Sequence, residues 1–129
     1  MKLLRIITAA AIVFPVALLA EETTITVKKG DATSIAIKPF GGAEGGAATK
    51  VVQNDLELSS LFLLSPPERA SFSVGATAGG GTLEGIVTDH SGSTVLKKSY
   101  SGNTRSAAHH FSDDIVETVT GNKGIASSK

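Results

Sequence analysis

The sequence predicts an α/β domain in which a small mixed β-sheet carries two helices on one face. Three observations lead to this prediction. Patterns of a strand, a helix and a second strand follow one another between residues 34 and 64. Two more strand patterns then flank a short glycine-containing loop. The last periodic segment has the apolar stripe of an amphipathic helix.

The first twenty residues have the layout of a secretory signal peptide. Lys2 and Arg5 form a basic start, and no other charge occurs before the acidic pair at residues 21–22. Pro15 interrupts an apolar run that barely reaches the roughly 20 residues needed to span a membrane. Cleavage after Ala20 is therefore predicted, with an uncleaved membrane anchor as the alternative. No cysteine follows the run, which argues against a lipid-anchored lipoprotein.

Composition excludes several classes of partner for the exported part, residues 21–129, whose domain is predicted to span residues 21–121. Its lack of cysteine means that a core, and not disulfides, must stabilise it. Removing Lys2 and Arg5 leaves ten basic against twelve acidic residues, a formal charge of −2. That balance argues against nucleic-acid binding. The whole chain has only five Phe, one Tyr and no Trp, so a platform for stacking bases or sugars is also not expected.

The exported part begins with an acidic, β-branched segment that we call the arm. Its alternating residues suit an extended strand, and Lys29-Gly30-Asp31 supplies turn chemistry after it. An extended peptide of this kind can add a strand to the sheet of a partner. The alternative is that Ile25 and Val27 pair within the domain's own sheet. The candidate partner-binding residues are Glu21, Glu22, Thr23, Thr24, Ile25, Thr26, Val27 and Lys28.

The next four segments predict strand, loop, helix and strand. Residues 34–40 form the first core strand, with Ile35 and Ile37 on one face and Pro39 ending it or placing it at an edge. A glycine-rich loop at 41–46 precedes a short amphipathic helix at 47–60. The apolar run at 61–64, closed by Ser65-Pro66-Pro67, suits a buried strand.

The second half of the chain predicts a hairpin and a long helix. Residues 71–82 are glycine-rich and are expected to be the least ordered stretch. A hairpin of strands 82–90 and 94–100 follows. A helix is predicted over 105–120, with Thr104 as N-cap and Gly121 as C-cap. Residues 122–129 are polar and small, as in a linker or a frayed end.

With these elements placed, the mature chain resembles the N-terminal domain of the TolB family at several points in the same order. The arm and the Pro39-Phe40 strand end correspond to the start of family members. The run from Asp55 to Phe62 matches the end of the family's first helix, except that Ser60 replaces a glycine. The end of the chain is the most specific match, with Ala108-His109, Phe111, Asp113-Asp114-Ile115, Glu117 and Thr120-Gly121-Asn122-Lys123-Gly124.

The sequence departs from the family pattern in two places. The segment that carries a Trp and a Leu-Gly-Ala turn in the family is shortened here, with residues 74–77 as its remnant. The family's β-propeller does not follow Lys129 in this sequence. The binding of the lipoprotein Pal, which the resemblance assigns to the propeller, is therefore expected only if a propeller is present.

The resemblance implies a function in protein interaction. The expected role is a periplasmic module of the Tol-Pal system, which couples the inner and outer membranes and supports outer-membrane integrity and cell division. The arm is the region that would meet TolA or a TolA-like inner-membrane protein. No enzymatic activity, cofactor or small-molecule substrate is expected. A truncated, non-functional TolB fragment is an alternative.

Three sequence patterns could indicate a zinc site, a phosphate-binding loop or a catalytic nucleophile, but each is better explained without such a site. His109 and His110 precede Asp113 and Asp114 by four residues, a helical spacing that could hold zinc. Two ligands of unlike type are too few for a structural site, so solvated faces with weak ion pairs are favoured. A small exported metal-binding protein, in which His90 joins these two, stays as an alternative. The loop at 41–46 lacks the spacing of a phosphate-binding motif, and residues 91–93 lack a nucleophile motif.

Overall fold

The computed structural model describes residues 32–128. Two helices and five strands make up this part of the chain. In chain order they are β1 (Thr33–Ile37), α1 (Gly45–Ser59), β2 (Phe62–Leu64), β3 (Phe72–Gly79), β4 (Thr82–Asp89), β5 (Thr94–Ser101) and α2 (Thr104–Thr120). Short 3₁₀ turns occur at Pro67–Arg69 and Ala126–Ser128.

The five strands form one mixed sheet in the order β2-β1-β3-β4-β5. β1 lies parallel to both β2 and β3, while β4 runs antiparallel to both of its neighbours, β3 and β5. The α1 helix connects the parallel strands β1 and β2, which need such a crossover because a tight turn cannot join parallel neighbours. The predicted fold class, a small mixed sheet with two helices, is confirmed.

Both helices pack on the same face of the sheet and share one core. Along β3 and β4 the buried residues Val74, Ala78, Leu83 and Val87 alternate with more exposed ones, as the period of two requires. These four join buried residues of both helices in a single apolar cluster. Polar residues such as Thr77, Glu84 and Lys97 are exposed.

The α1 helix confirms the predicted helix at 47–60, beginning two residues earlier. Its buried residues Ala48, Val52, Asp55 and Leu56 follow helical spacing and face the core. The helix ends at Ser60, which takes the left-handed conformation with φ 63°. This backbone conformation costs glycine least, so the serine at this position carries a conformational cost that a glycine would avoid.

β2 differs from the buried strand predicted at 61–64. Only Phe62 is buried, whereas Leu63 is 61% exposed and Leu64 is 36% exposed. β2 is less buried than predicted because it is an edge strand of the sheet and pairs with β1 only. The sequence shows the apolar run but not which strand lies at the edge. Pro39 does not place β1 at an edge, because β1 lies between β2 and β3 in the sheet. Pro39 instead comes two residues after the end of this strand.

The glycine-rich stretch at 71–82, expected to be the least ordered, instead forms β3 and its turn. β3 pairs with β1 on one side and β4 on the other, so its backbone groups are bonded along both edges. Gly80 and Gly81 have φ of 63° and 79° and join the paired residues Gly79 and Thr82. Positive φ at both central residues is what a tight type I′ hairpin turn needs. Gly80 and Gly81 therefore form the tight turn of the β3-β4 hairpin.

The second hairpin, predicted at 82–90 and 94–100, is confirmed as β4 and β5 with a register shift between Val87 and Thr88. The α2 helix confirms the helix predicted at 105–120 and ends at Gly121, with φ 82°, as predicted. Its N-cap is Asn103 and not Thr104, because the Asn103 side chain accepts the N–H of Ser106. Asparagine is among the best N-caps.

Phe111 of α2 is the centre of the core. Its ring is fully buried and lies 6.2 Å from the ring of Phe40 and 5.6 Å from that of Tyr100, centroid to centroid. The ring also lies directly against the backbone of Gly85 in β4, where a Cβ atom would overlap it. The predicted apolar stripe of the helix is thus the side that packs on the sheet.

The residues after Gly121 are docked on the domain, although the sequence predicts a linker or frayed end for 122–129. Ala126 is buried, and the carboxylate of Asp113 accepts the N–H groups of Ala126 and Ser127. Gly124 lies so close to Asp113 that a Cβ atom there would clash with it. We call residues 122–128 the docked tail. Within residues 32–128, no helix is long and apolar enough to cross a membrane.

Candidate functional site

The arm, the predicted partner-binding segment at residues 21–28, lies outside the described residues 32–128. Its role therefore stays a prediction from the sequence. The same holds for the signal peptide predicted at residues 1–20.

His109 does not form the surface pair with Asp113 that its spacing on the helix suggests. Its Nδ1 atom lies 2.7 Å from the Oδ2 atom of Asp55, so the imidazole hydrogen-bonds across to α1. The two side chains are 13% and 2% exposed. The favoured interpretation as a solvated polar face is therefore wrong for His109, which links the two helices at the edge of the core.

The three histidines are not brought together as a metal site. His90 lies after β4 with its Nδ1 atom 3.3 Å from the carbonyl oxygen of Ala70, His110 is exposed on α2, and His109 pairs with Asp55. Between residues 32 and 128, no three His, Cys, Asp or Glu side chains are grouped so that they could hold a metal ion. The geometry thus gives no support to the metal-binding alternative.

Asp114 forms a polar cluster with β5 and does not pair with His110. Its Oδ2 atom accepts the hydroxyl of the buried Tyr100 at 2.7 Å and the ammonium of Lys98 at 3.1 Å. Burial raises the pKa of the Tyr100 phenol above its ordinary value of 10.0, and the hydrogen bond to the Asp114 carboxylate raises that pKa further. The cluster ties α2 to the sheet, and Tyr100 keeps its proton.

The two loops that the sequence singles out use their polar groups internally. In the loop at 41–46, the N–H of Gly41 donates to Ala76 and that of Glu44 donates to Ala78, both carbonyls of β3. In the turn at 91–93, the Asp89 carboxylate accepts the hydroxyl and N–H of Ser91 and the N–H of Ser93. These hydrogen bonds, that of the Ser91 hydroxyl first, lower the pKa of Asp89.

The structure adds a feature that the sequence does not predict, a groove between the C-terminal halves of α1 and α2. The docked tail closes one side of this groove, which has a volume of about 280 Å³. Leu58 and Ile125, which are 62% and 70% exposed, flank it. Two signals existed in the sequence: Leu58 lies off the apolar stripe of α1, and Ile125 is the one large apolar residue of a polar tail.

Comparisons with known proteins place the chain in no family. No protein-family model matches it, and no curated protein does. Among solved structures, a PelC dodecamer from Paraburkholderia phytofirmans is similar, with 13% sequence identity and a TM-score of 0.46. The similarity covers 68% of this chain and 86% of that chain. A likeness of this size is too small to indicate a shared function.

Proposed function

We propose that the protein is an exported, periplasmic interaction module that acts in a Tol-Pal-type envelope system. It binds a TolA-like inner-membrane protein through its arm and so helps couple the inner and outer membranes. In that role it supports outer-membrane integrity and cell division, and it requires no catalytic activity and no cofactor.

The sequence pattern of the arm is the single observation that carries this proposal. Ile25 and Val27 alternate with threonines directly after an acidic start at Glu21, as in peptides that bind by strand addition. The layout of residues 1–20 supports export.

Export and partner binding are tested together in a Gram-negative host. We expect the protein in the periplasmic extract, with Glu21 as its first residue by N-terminal sequencing, because the apolar run ends at Ala20. We also expect a TolA-like protein to co-purify with it after mild cross-linking. A protein that keeps Lys2 and Arg5 and sediments with membranes contradicts the proposal.

A further inference from the structure

The sheet of residues 32–128 has two outer edges, and they differ in what they can bind. β2 forms one edge, but it is three residues long and is followed by Ser65-Pro66-Pro67. Proline has no N–H group to donate, so pairing at this edge ends there. β5 forms the other edge, and six of its eight residues are exposed. Short length and prolines protect an edge against pairing, and β5 has neither protection.

The hydrogen bonds between β4 and β5 fix which backbone groups of β5 face outward. The N–H of Gly102 donates to the carbonyl of Gly81, so these two residues form a hydrogen-bonded pair. Bonded and non-bonded pairs alternate along an antiparallel ladder, so Tyr100 and Lys98 direct their N–H and C=O groups to β4. Three residues direct these groups away from the sheet: Lys97, Ser99 and Ser101. Within residues 32–128, their outward groups form no backbone hydrogen bond.

The lysines of β5 determine which strand pairs best at this edge. The ammonium of Lys98 already contacts the Asp114 carboxylate at 3.1 Å. Lys97 is exposed and forms no salt bridge in the described part of the chain. Glu84 lies on the same face but opposite Ser99, which makes it a diagonal neighbour of Lys97, and diagonal neighbours are roughly 7–8 Å apart. A residue directly opposite Lys97 on an added strand lies closer, at about 4.5–5.5 Å, so a carboxylate there is favourable.

A second copy of this chain is a poor partner for the same edge. Two β5 strands pair antiparallel about a two-fold axis. For strands of residues 94–101, three registers pair seven or eight residues, and each brings a lysine opposite a lysine: Lys97 opposite Lys97, Lys98 opposite Lys98, or Lys97 opposite Lys98. Like charges directly opposite one another destabilise a strand pair. The charges of this edge therefore disfavour a second copy and favour a strand with a carboxylate.

We propose that β5 is a strand acceptor, which binds an extended segment of a protein partner that carries a carboxylate opposite Lys97. The outward N–H and C=O groups of Lys97 and Ser99 bond the backbone of that segment, and the Lys97 ammonium pairs with its carboxylate. The acceptor at β5 is independent of the arm, which is proposed to add a strand to the sheet of another protein.

The test measures fluorescence anisotropy of a labelled peptide, Thr-Val-Thr-Glu-Thr-Val-Thr, with the exported full chain. In a second peptide, lysine replaces the glutamate. Two N-methylated peptides separate backbone pairing from charge, since one carries methyl groups on the N atoms of both valines and the other on those of the two central threonines. In an added strand, only one of these two sets of N–H groups faces β5.

Two variants of β5 are compared with matched controls. Ser99→Pro removes an outward N–H but no hydrogen bond to β4, and an edge strand tolerates proline at such a position. Ser99→Ala is its control, because it removes the hydroxyl and keeps the N–H. Lys97→Glu reverses the charge, and Lys50→Glu is its control, since Lys50 is exposed on α1. Thermal unfolding establishes that each variant is folded.

We expect the glutamate peptide to bind, and both Ser99→Pro and one of the two N-methylations to raise its Kd by about tenfold or more. Each of these changes removes main-chain hydrogen bonds at the centre of the contact. Lys97→Glu should raise the Kd by about threefold or more and make the lysine peptide the better ligand, because it exchanges an attractive cross-strand pair for a repulsive one. The control variants and the other N-methylation should change the Kd by less than about twofold.

No binding of the glutamate peptide at millimolar concentration overturns the proposal. A folded Ser99→Pro variant with unchanged Kd does so as well. If Ser99→Pro does not fold, equal Kd values for the two N-methylated peptides are the contradicting result, because strand addition requires that they differ.

Two further outcomes identify a different occupant and also overturn the proposal. A dimer in analytical ultracentrifugation that Ser99→Pro dissociates means that a second copy occupies β5. A Kd that changes in either direction on deletion of residues 21–28 means that the arm occupies the edge or itself binds the peptide. The expected result is an unchanged Kd, so failure of the arm to bind a TolA-like protein leaves the strand acceptor intact.

Discussion

The hydrogen bond between Asp55 and His109 shows how far helical spacing can predict side-chain partners. The distance of four residues from His109 to Asp113 indicates which groups lie near each other on one helix. It does not indicate what the neighbouring helix presents, and here that is Asp55, fifty-four residues away in the chain. A sequence without an alignment carries no signal of such a pair. The sequence therefore misassigned a hydrogen bond that links the two helices at the edge of the core.

His109→Ala should lower the free energy of unfolding by about 1 to 3 kcal/mol, because it leaves the buried Asp55 carboxylate without its partner. His110→Ala is the control, since His110 is exposed, and it should change stability by less than about 0.5 kcal/mol. Urea unfolding measures both. A double-mutant cycle with Asp55→Ala should reveal a coupling energy of about 0.5 kcal/mol or more. Equal effects of the two histidine variants, or zero coupling, would show that the pair is not formed.

The Tyr100 hydroxyl predicts a dependence of stability on alkaline pH. The folded state raises the pKa of Tyr100, so the folded protein holds this proton more tightly than the unfolded chain. Its contribution is fully present below about pH 10, the ordinary pKa, and is lost as the pH rises above that value. Tyr100→Phe should therefore weaken the decline of the unfolding free energy above about pH 10. Parallel pH profiles for the two proteins would refute this assignment.

Among the strands, Gly75 of β3 and Gly85 of β4 have opposite roles. Gly75 faces Ile86, where an added Cβ atom would make an ordinary contact at 3.7 Å. Gly85 lies under the ring of Phe111, where a Cβ atom would overlap. The two lie on adjacent strands, with Gly75 opposite Ile86 and Gly85 opposite Ala76. They form a matched pair of substitutions that reports which face of the sheet the helices cover.

Gly75→Ala should raise the free energy of unfolding by about 0.5 to 1 kcal/mol, because alanine loses less backbone entropy on folding. Gly85→Ala should lower it by about 1 to 3 kcal/mol, because the Phe111 ring must shift to admit the methyl group. Thermal or denaturant unfolding separates the two. The same sign for both variants would mean that Phe111 does not pack on β4 in this way.

The elements that the sequence predicted well are those with a strong local signal. The α2 helix has a long apolar stripe, and the β4-β5 hairpin has a clear turn between β-branched segments. β3 was missed because glycine content suggests disorder locally, whereas pairing on both sides decides the outcome. The docked tail was missed because its stability comes from Asp113, a partner on the preceding helix.

For the molecule as a whole, the class of fold could be predicted, but the groove could not. The number and order of strands and helices give the mixed sheet with two helices. The groove depends on where Leu58 and Ile125 meet in space, and the sequence contains no periodic pattern that joins residues of a helix and a tail. Periodicity reports which face of an element is apolar, but not which apolar residues remain uncovered after packing.

The central claim is that the arm binds a partner and is not part of the domain's core. A calorimetric titration with a TolA-like protein, on the exported chain and on a variant without residues 21–28, tests it most directly. We expect the deletion to abolish the binding heat while the free energy of unfolding changes by less than about 0.5 kcal/mol, as for a segment outside the core. Unchanged affinity, or a loss of several kcal/mol of stability as an internal strand would cause, would contradict the claim.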